Sequence, residues 1–539
     1  MDIARTLKMG AALIACSLSL NLVAKEQSHD RINYQDLFNL EYAANPVVMP
    51  DGKTVVYERR SMDIMTDSLR RNLWTVSLDG KTHMPMLSDS KNHFNPVFSP
   101  DGSKMAYLSS KDGKVQIYLR DLASGLTARV TDVQMSPSSM SFSPDGNQLA
   151  FSMFTPGKSK PLFSLGFKPK GAKWADSAQY IDDTLFQRDG AGMNRPGNMQ
   201  VYVVPSIGGT PRKVTPDGHD FSGTVAWSLD GKQLIVSANT RDDAEFDIFN
   251  SDLHAITLTT GEINKLTETS GPESNPHLSP NGKMVAFTGF EDNGKSNQIT
   301  ELYVMAPDGS DVKRLTAKLD RSVGNIQWAE NSKGLYFSYD DEGKKHVGYV
   351  SLAGKITVKT DELGGMSLGR PYTSGHYDVT PKGSIVYTLS TGDRPADLAI
   401  VNKRGKVAQL TKLNRDVFDH KVMNKPELME VNSSVDGRRL QSWIVTPPDF
   451  DPTKKYPLIL EIHGGPHTAY GPEFSTEVQL FAAAGYVVVY GNPRGSTSMG
   501  AEFANLIDKN YPSQDYNDLM DMVDGVIAKG YIDEQNLFV

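Results

Sequence analysis

The residues best suited to chemistry lie in one run near the C-terminal end, Tyr456-Pro457-Leu458-Ile459-Leu460-Glu461-Ile462-His463-Gly464-Gly465-Pro466. Its first part is short and almost continuously apolar, the pattern of a strand buried on both faces of a parallel sheet. It then breaks into a His-Gly-Gly turn that only residues without side chains fold so tightly. The N–H groups of such a turn point into open space, where they can stabilise an oxyanion as it develops. Gly464 and Gly465 are therefore the candidate oxyanion donors, and the chemistry they suit is acyl transfer. Downstream, Asn492-Pro493-Arg494-Gly495-Ser496 reads as a loop in which Arg494, with its several N–H donors, braces carbonyls rather than clamps substrate. One competing motif is set aside. Gly365-Met366-Ser367-Leu368-Gly369 matches Gly-x-Ser-x-Gly literally, but a polar stretch precedes it and Arg370-Pro371 follows, where a nucleophile elbow needs a strand and then a helix.

Around the glycine turn the chain alternates between strand and helix patterns. Glu427–Val445 reads as a hairpin turning at Asp436-Gly437, Glu473–Ala484 as a helix, and Gly485–Tyr490 as a second buried strand. Gln514–Lys529 has helical periodicity through Leu519, Met522, Val523, Val526 and Ile527, and Asn536–Val539 starts another strand. That order predicts a parallel α/β sheet over residues 426–539.

Upstream the grammar is different. A turn phrase recurs as Met49-Pro50-Asp51-Gly52, Ser99-Pro100-Asp101-Gly102, Ser143-Pro144-Asp145-Gly146 and Ser228-Leu229-Asp230-Gly231. Weaker copies are Ser279-Pro280-Asn281-Gly282, Asn331-Ser332-Lys333-Gly334 and Thr380-Pro381-Lys382-Gly383. Asp-Gly between alternating apolar runs is a tight-hairpin signal. With a second strand pair after each copy, the pattern predicts an all-β, seven-bladed β-propeller over residues 30–415. One interval is long, and its excess near residues 154–198 contains Trp174, Asp182, Asp183, Phe186, Arg188 and Asp189. Insertions of this kind often emerge on the binding face. Asp340-Asp341-Glu342 reads as a solvated hairpin tip rather than a calcium site.

By these pieces the chain resembles the prolyl oligopeptidase family of serine peptidases, in its acylaminoacyl-peptidase and dipeptidyl-peptidase-like branch. The matching segments are His463-Gly464-Gly465-Pro466, Asn492–Ser496, Tyr516–Ile527, Gly530-Tyr531-Ile532-Asp533 and, in the insertion, Lys168–Trp174. The resemblance implies a propeller followed by an α/β-hydrolase domain that cleaves short peptides by acyl transfer, with no cofactor. It implies a loop-supporting role for His463, and it makes Asp182, Asp183 and Asp189 candidate anchors for a substrate's free amine. In that family serine, aspartate and histidine follow the fifth hydrolase strand in this order. All three are expected beyond Val539, so no catalytic residue is assigned within the chain. The hydrolase domain is expected to be incomplete and the 539-residue chain inactive. The alternative is a non-catalytic periplasmic propeller, a TolB-like scaffold that docks a partner.

Length and composition agree with two soluble domains: 539 residues, 39% hydrophobic and 22% charged. A formal charge of −8 without a basic cluster argues against nucleic acid as a partner. Arg5 and Lys8 precede the uncharged run Met9–Ala24, the pattern of an export signal over residues 1–24. Ser17, Ser19 and Asn21 make it a poor membrane span. The expected location is periplasmic or secreted, with lipidation at Cys16 as the alternative. Scattered histidines and a single cysteine give no metal site.

Overall fold

The computed structural model describes residues 30–158, 166–175 and 180–539, so the signal segment and Cys16 lie outside the described residues. Seven four-stranded antiparallel sheets follow one another, from Glu41–Val48 in the first blade to Val407–Gln409 in the seventh. The turn phrase explains how they assemble. In the second blade Ser99 Oγ donates to Asp101 Oδ1 at 2.6 Å, Asp101 Oδ1 accepts the Ser103 N–H at 3.0 Å, and Ser99 Oγ accepts the Lys104 N–H at 2.9 Å. Gly102 takes φ +70°, and a Cβ there would stand 2.7 Å from Pro50 of the preceding blade. The same glycine-on-proline contact joins Gly146 to Pro100 and Gly231 to Pro144, and it joins Gly52 of the first blade to Pro381 of the seventh. Proline and glycine thus recur at four of the seven joints because each of those turns rests on the one before it; in the fifth blade Gly282 rests on Leu229 instead. Replacing Gly102 with alanine is expected to cost the propeller about 1–3 kcal/mol through left-handed strain and crowding. Urea unfolding would show this, and a loss under about 0.5 kcal/mol would contradict the packing account. The weak sixth copy differs: Ser332 takes the left-handed position at φ 55°, and Gly334 begins the next strand.

Among the described residues each blade is built from its own consecutive strands, and none is completed from the opposite chain end. The seam between the seventh and first blades is closed by side-chain contacts. Val386, Leu398, Leu410 and Leu413 pack with Ala43, Val55, Tyr57 and Val76. The Val48 N–H donates to Asp378 Oδ2 at 2.6 Å, and Asn414 exchanges two 2.7 Å hydrogen bonds with the Glu41 backbone. Outside the ring, Asp30–Arg31 pairs in parallel with Lys421–Val422. Arg31 then reaches on to the Ala483 carbonyl at 2.8 Å and to Asp449. The first strands of the blades line a central cavity of about 720 Å³ bordered by Asn45, Asn95, Thr224, Asn275, Asn325 and His376.

The second unit is one five-stranded sheet of α/β-hydrolase type. Its elements are β1 (Glu427–Asn432), β2 (Arg439–Val445), β3 (Tyr456–Glu461), α1 (Thr476–Ala483), β4 (Val487–Asn492), α2 (Asp515–Ile527) and β5 (Ile532–Phe538). The spatial order is β1-β2-β4-β3-β5. β3 lies parallel to β4, with Leu458 opposite Val487, and parallel to β5, with Leu458 opposite Leu537. α2 buries Leu519, Met522, Val523 and Val526 against Leu440, Leu458, Val487 and Val489. α1 covers the other face with Val478 and Ala482 against Val445, Val488 and Tyr490. Both faces of β4 are thereby closed, as a parallel strand requires, while on β3 Leu458 and Leu460 are buried and Ile459 is half-buried. No helix among the described residues is long and apolar enough to cross a membrane.

The sheet docks on the propeller face formed by the connections between the second and third strands of the blades. The blade-six tip after Asp340 and Asp341 is not a solvated turn but part of this joint. The Glu342 N–H donates to the Ser498 carbonyl at 2.9 Å, and Gln441 Nε2 donates to the Glu342 carbonyl at 3.0 Å. Gly343 packs so closely on Trp443 that a Cβ would stand 2.5 Å from Cη2. The Gly365–Gly369 segment, the set-aside elbow motif, lies in the same joint. Leu368 O accepts from Thr476 N at 2.8 Å, and the Gly365 N–H donates to Glu473 Oε2 at 2.6 Å. The 157–196 insertion joins the second and third strands of the third blade, Gln148–Pro156 and Gly197–Pro205, so strand alternation places it on this same face.

Candidate active site

β3 delivers the chain to the glycine turn, and two loops hold that turn in place. Gly464 and Gly465 are exposed, and a Cβ on Gly464 would meet no atom within 4 Å. Among the described residues no backbone or side-chain acceptor engages either N–H. The arrangement offers two uncommitted donors at the end of a buried strand, the geometry an oxyanion requires.

His463 is buried at 7% exposure, with Nδ1 3.2 Å from the Gly464 carbonyl and Nε2 3.0 Å from Ser496 Oγ. Burial holds its pKa below the usual imidazole range, so the ring is neutral at physiological pH. His463 and Ser496 form a serine–histidine pair, but not a nucleophile and base. Ser496 is 1% exposed and its hydroxyl also contacts the Pro493 carbonyl at 2.8 Å, so no substrate carbonyl can reach it. The pair laces the glycine turn to the 492–501 segment. His467 Nδ1, facing the Gly495 carbonyl at 3.0 Å, and the Thr497 N–H, donating to the Thr468 carbonyl at 3.0 Å, add two further ties.

Arg494 anchors that second segment. Its side chain is 3% exposed, with Nε and Nη2 each 2.8 Å from an Asp518 oxygen, and its own N–H donates to Asp518 Oδ2 at 2.9 Å. Ser433 Oγ completes the cluster, accepting from Arg494 Nη2 at 3.0 Å and donating to Asp518 Oδ1 at 2.8 Å. A two-pronged guanidinium–carboxylate pair inside the domain fixes loop geometry; it does not face substrate. The returning chain is held equally firmly. Asn492 exchanges hydrogen bonds of 2.8 and 3.0 Å with the Tyr470 backbone, and Tyr470 OH donates to Glu461 Oε1 at 3.0 Å.

The insertion aspartates are not part of this constellation. Asp182, Asp183 and Asp189 are exposed, and among the described residues they form no ion pair or contact with the glycine turn. The insertion is tied instead to the fourth blade, where the Thr184 N–H donates to Glu245 Oε1 at 2.6 Å.

Sequence reasoning passed over Asp518 and Glu473. Asp518 sits on the stripe of α2 that carries Met522 and Val526, where an acidic residue demands a buried partner. That position was the available signal. Glu473 sits in the domain joint, accepting from Ser374 N at 2.9 Å and Ser374 Oγ at 3.1 Å besides Gly365 N. Burial pushes its pKa up to about 8.

Two family models match the chain. One described as "TolB beta propeller domain" covers residues 64–296, and one described as "Prolyl oligopeptidase family" covers residues 472–539. Dipeptidyl-peptidase 5 of Porphyromonas gingivalis is 26% identical over 97% of this chain and 77% of its own length. The uncharacterized peptidase YuxL of Bacillus subtilis is 27% identical over 94% of this chain and 78% of its own length. Among solved structures, Pyrococcus horikoshii acylaminoacyl peptidase superposes with a TM-score of 0.75 at 20% identity, covering 94% of this chain and 74% of that one. At that identity the superposition speaks to fold.

Proposed function

We propose that this chain, which matches the prolyl oligopeptidase family model over residues 472–539, is a peptidase of that family, and that its glycine turn binds the oxyanion in a serine peptidase site acting on short peptides. The observation that carries the reading is the pair of exposed, uncommitted N–H groups on Gly464 and Gly465 at the end of β3. In the reaction the scissile carbonyl oxygen would gain negative charge as the tetrahedral intermediate forms, and these amides would meet it. His463, Ser496, Arg494 and Asp518 would hold the turn without touching substrate. Relatives named dipeptidyl-peptidase 5 support dipeptidyl release, an exopeptidase activity. The propeller would admit peptides and exclude folded proteins, with the insertion bordering the same face. The run Met9–Ala24 behind Arg5 and Lys8 supports export to the periplasm or beyond.

For the 539-residue chain itself we expect no turnover. The serine beside the glycine turn, Ser496, is buried and committed, and no other described hydroxyl is paired with a base there. Assays with aminoacyl and dipeptidyl chromogenic substrates test this, with an expected rate indistinguishable from buffer. Turnover abolished by a serine-directed inhibitor would overturn it. A purely binding propeller would have no use for a strand ending in unpaired amides, which is why the peptidase reading is preferred to a TolB-like scaffold.

A further inference from the structure

The glycine turn is gripped from both domains. On the hydrolase side Asp518 holds Arg494, at the start of the 494–501 segment. On the propeller side Asp320, in the crossover between the fifth and sixth blades, accepts the Ala501 N–H on Oδ1 at 3.1 Å. The Glu342 N–H meets the Ser498 carbonyl three positions earlier, at 2.9 Å. Every tie the turn makes to this segment comes from between those two anchors: Gly495 O to His467, Ser496 Oγ to His463 and Thr497 N to Thr468 O. The stretch between the anchors contains only a single short helical turn, Thr497–Met499, so it has little rigidity of its own. Its far end is held twice: within the hydrolase domain by buried Phe503, whose carbonyl accepts the Gly495 N–H at 3.1 Å, and from the other domain by the Asp320 carboxylate.

We propose that Asp320 is a positioning residue for the Gly464 and Gly465 amides, acting through Ala501, Ser496 and His463, so that seating of the propeller sets the geometry of the glycine turn. The proposal rests on the oxyanion reading of those amides for its catalytic meaning, but the contacts stand apart from that reading. With the propeller displaced, the Ala501 N–H and Ser498 carbonyl lose their partners together, and the segment slackens toward His463. Peptide access and amide alignment would then be governed by one motion. The side chain of Asp320 is 58% exposed, its other oxygen lying 3.6 Å from Arg321 Nη1. Its backbone takes the left-handed φ of 52°, which alanine resists and glycine accepts, so Asp320→Gly is measured beside Asp320→Ala and should give the same exchange pattern.

Hydrogen exchange by mass spectrometry on the full 539-residue chain tests this. In Asp320→Ala, the Thr468 amide, the N–H of the turn that is itself hydrogen-bonded (to the Pro466 carbonyl at 3.0 Å), should exchange about fivefold faster, the scale expected for loss of one exposed hydrogen bond. β2 and α2 should be unchanged. Asp320→Asn keeps an oxygen acceptor for Ala501 and should restore slow exchange. In a Ser496→Ala background, where one of the three ties is already cut, adding Asp320→Ala should produce a smaller increment at 463–468. Faster exchange confined to 497–504, equal effects of alanine and asparagine, or uniform loosening of the hydrolase sheet would each overturn the proposal. Because the readout is loop motion, these outcomes are distinct from failure of the oxyanion reading, which the substrate assay addresses.

Discussion

Replacing Asp518 with alanine is expected to cost the hydrolase unit about 3–5 kcal/mol, the scale for leaving one partner of a buried ion pair uncompensated. The argument is one of burial and count. Asp518 is fully buried, Arg494 nearly so, and Asp518 accepts from Arg494 N, Nε and Nη2 as well as Ser433 Oγ. Removing the carboxylate strands a guanidinium between β4 and α2, with Gln514 Oε1 at 2.9 Å, Ser433 Oγ at 3.0 Å and Asp436 at 3.4 Å as its remaining partners. Asp518→Asn keeps an acceptor for the Arg494 N–H and should cost less. The double change Arg494→Met/Asp518→Leu, which removes both charges, should recover much of the loss. Urea unfolding followed by exchange protection along α2 and β4 measures all three. A loss below about 1 kcal/mol for Asp518→Ala would mean that water enters the cluster and the pair is not truly buried.

Docking of the two domains should weaken as pH rises from about 4.5 to about 8, through Glu473. Its pKa is raised from 4.5 to about 8 by burial, against the pull of hydrogen bonds from Ser374 and Gly365. The folded protein therefore holds a proton that the unfolded chain releases, and the stabilisation is complete below pH 4.5. It is withdrawn as pH approaches the folded value, at a limiting slope of about 1.4 kcal/mol per pH unit. Glu273, raised to about 7, and Asp378, raised to about 6, add slopes of the same sign within the propeller. The difference between wild type and Glu473→Gln isolates the joint. The glutamine variant should lose less stability than wild type between pH 5.5 and pH 8.5 in thermal melts, and parallel curves would contradict the assignment.

The propeller could be read from the chain because its repeating unit is local. Ser99, Asp101 and Gly102 close their turn within six residues, and Pro50 needs only to be present in the preceding copy. β3 and its glycine turn were visible for a similar reason, since an apolar run ending in two glycines has few other uses. What stayed hidden depends on distant partners. β5 begins at Ile532 rather than Asn536, because Tyr456 N bonds to Tyr531 O and sets the pairing before the polar Asp533-Glu534-Gln535 stretch hides it. Asp340-Asp341-Glu342 has the composition of a solvated tip, yet Trp443 and Ser498 of another domain lie against its end. Gly365-Met366-Ser367-Leu368-Gly369 copies an elbow by letter, while its backbone serves Glu473 and Thr476. Charge and spacing describe a residue's own segment; they say nothing of what a second domain brings to it.

The seventh and first blades meet without a shared strand, and the two chain ends leaving that seam are knotted together by Asp30–Arg31 alongside Lys421–Val422. Arg31 continues the knot onto Ala483 and Asp449, at the end of α1 and in the loop before β3. The one joint of the ring that no chain crossover spans is therefore laced to the neighbouring domain as well as packed on itself. A force that lifts the hydrolase sheet also loads the seam through Arg31, so tilting between domains and parting of the staves are mechanically coupled.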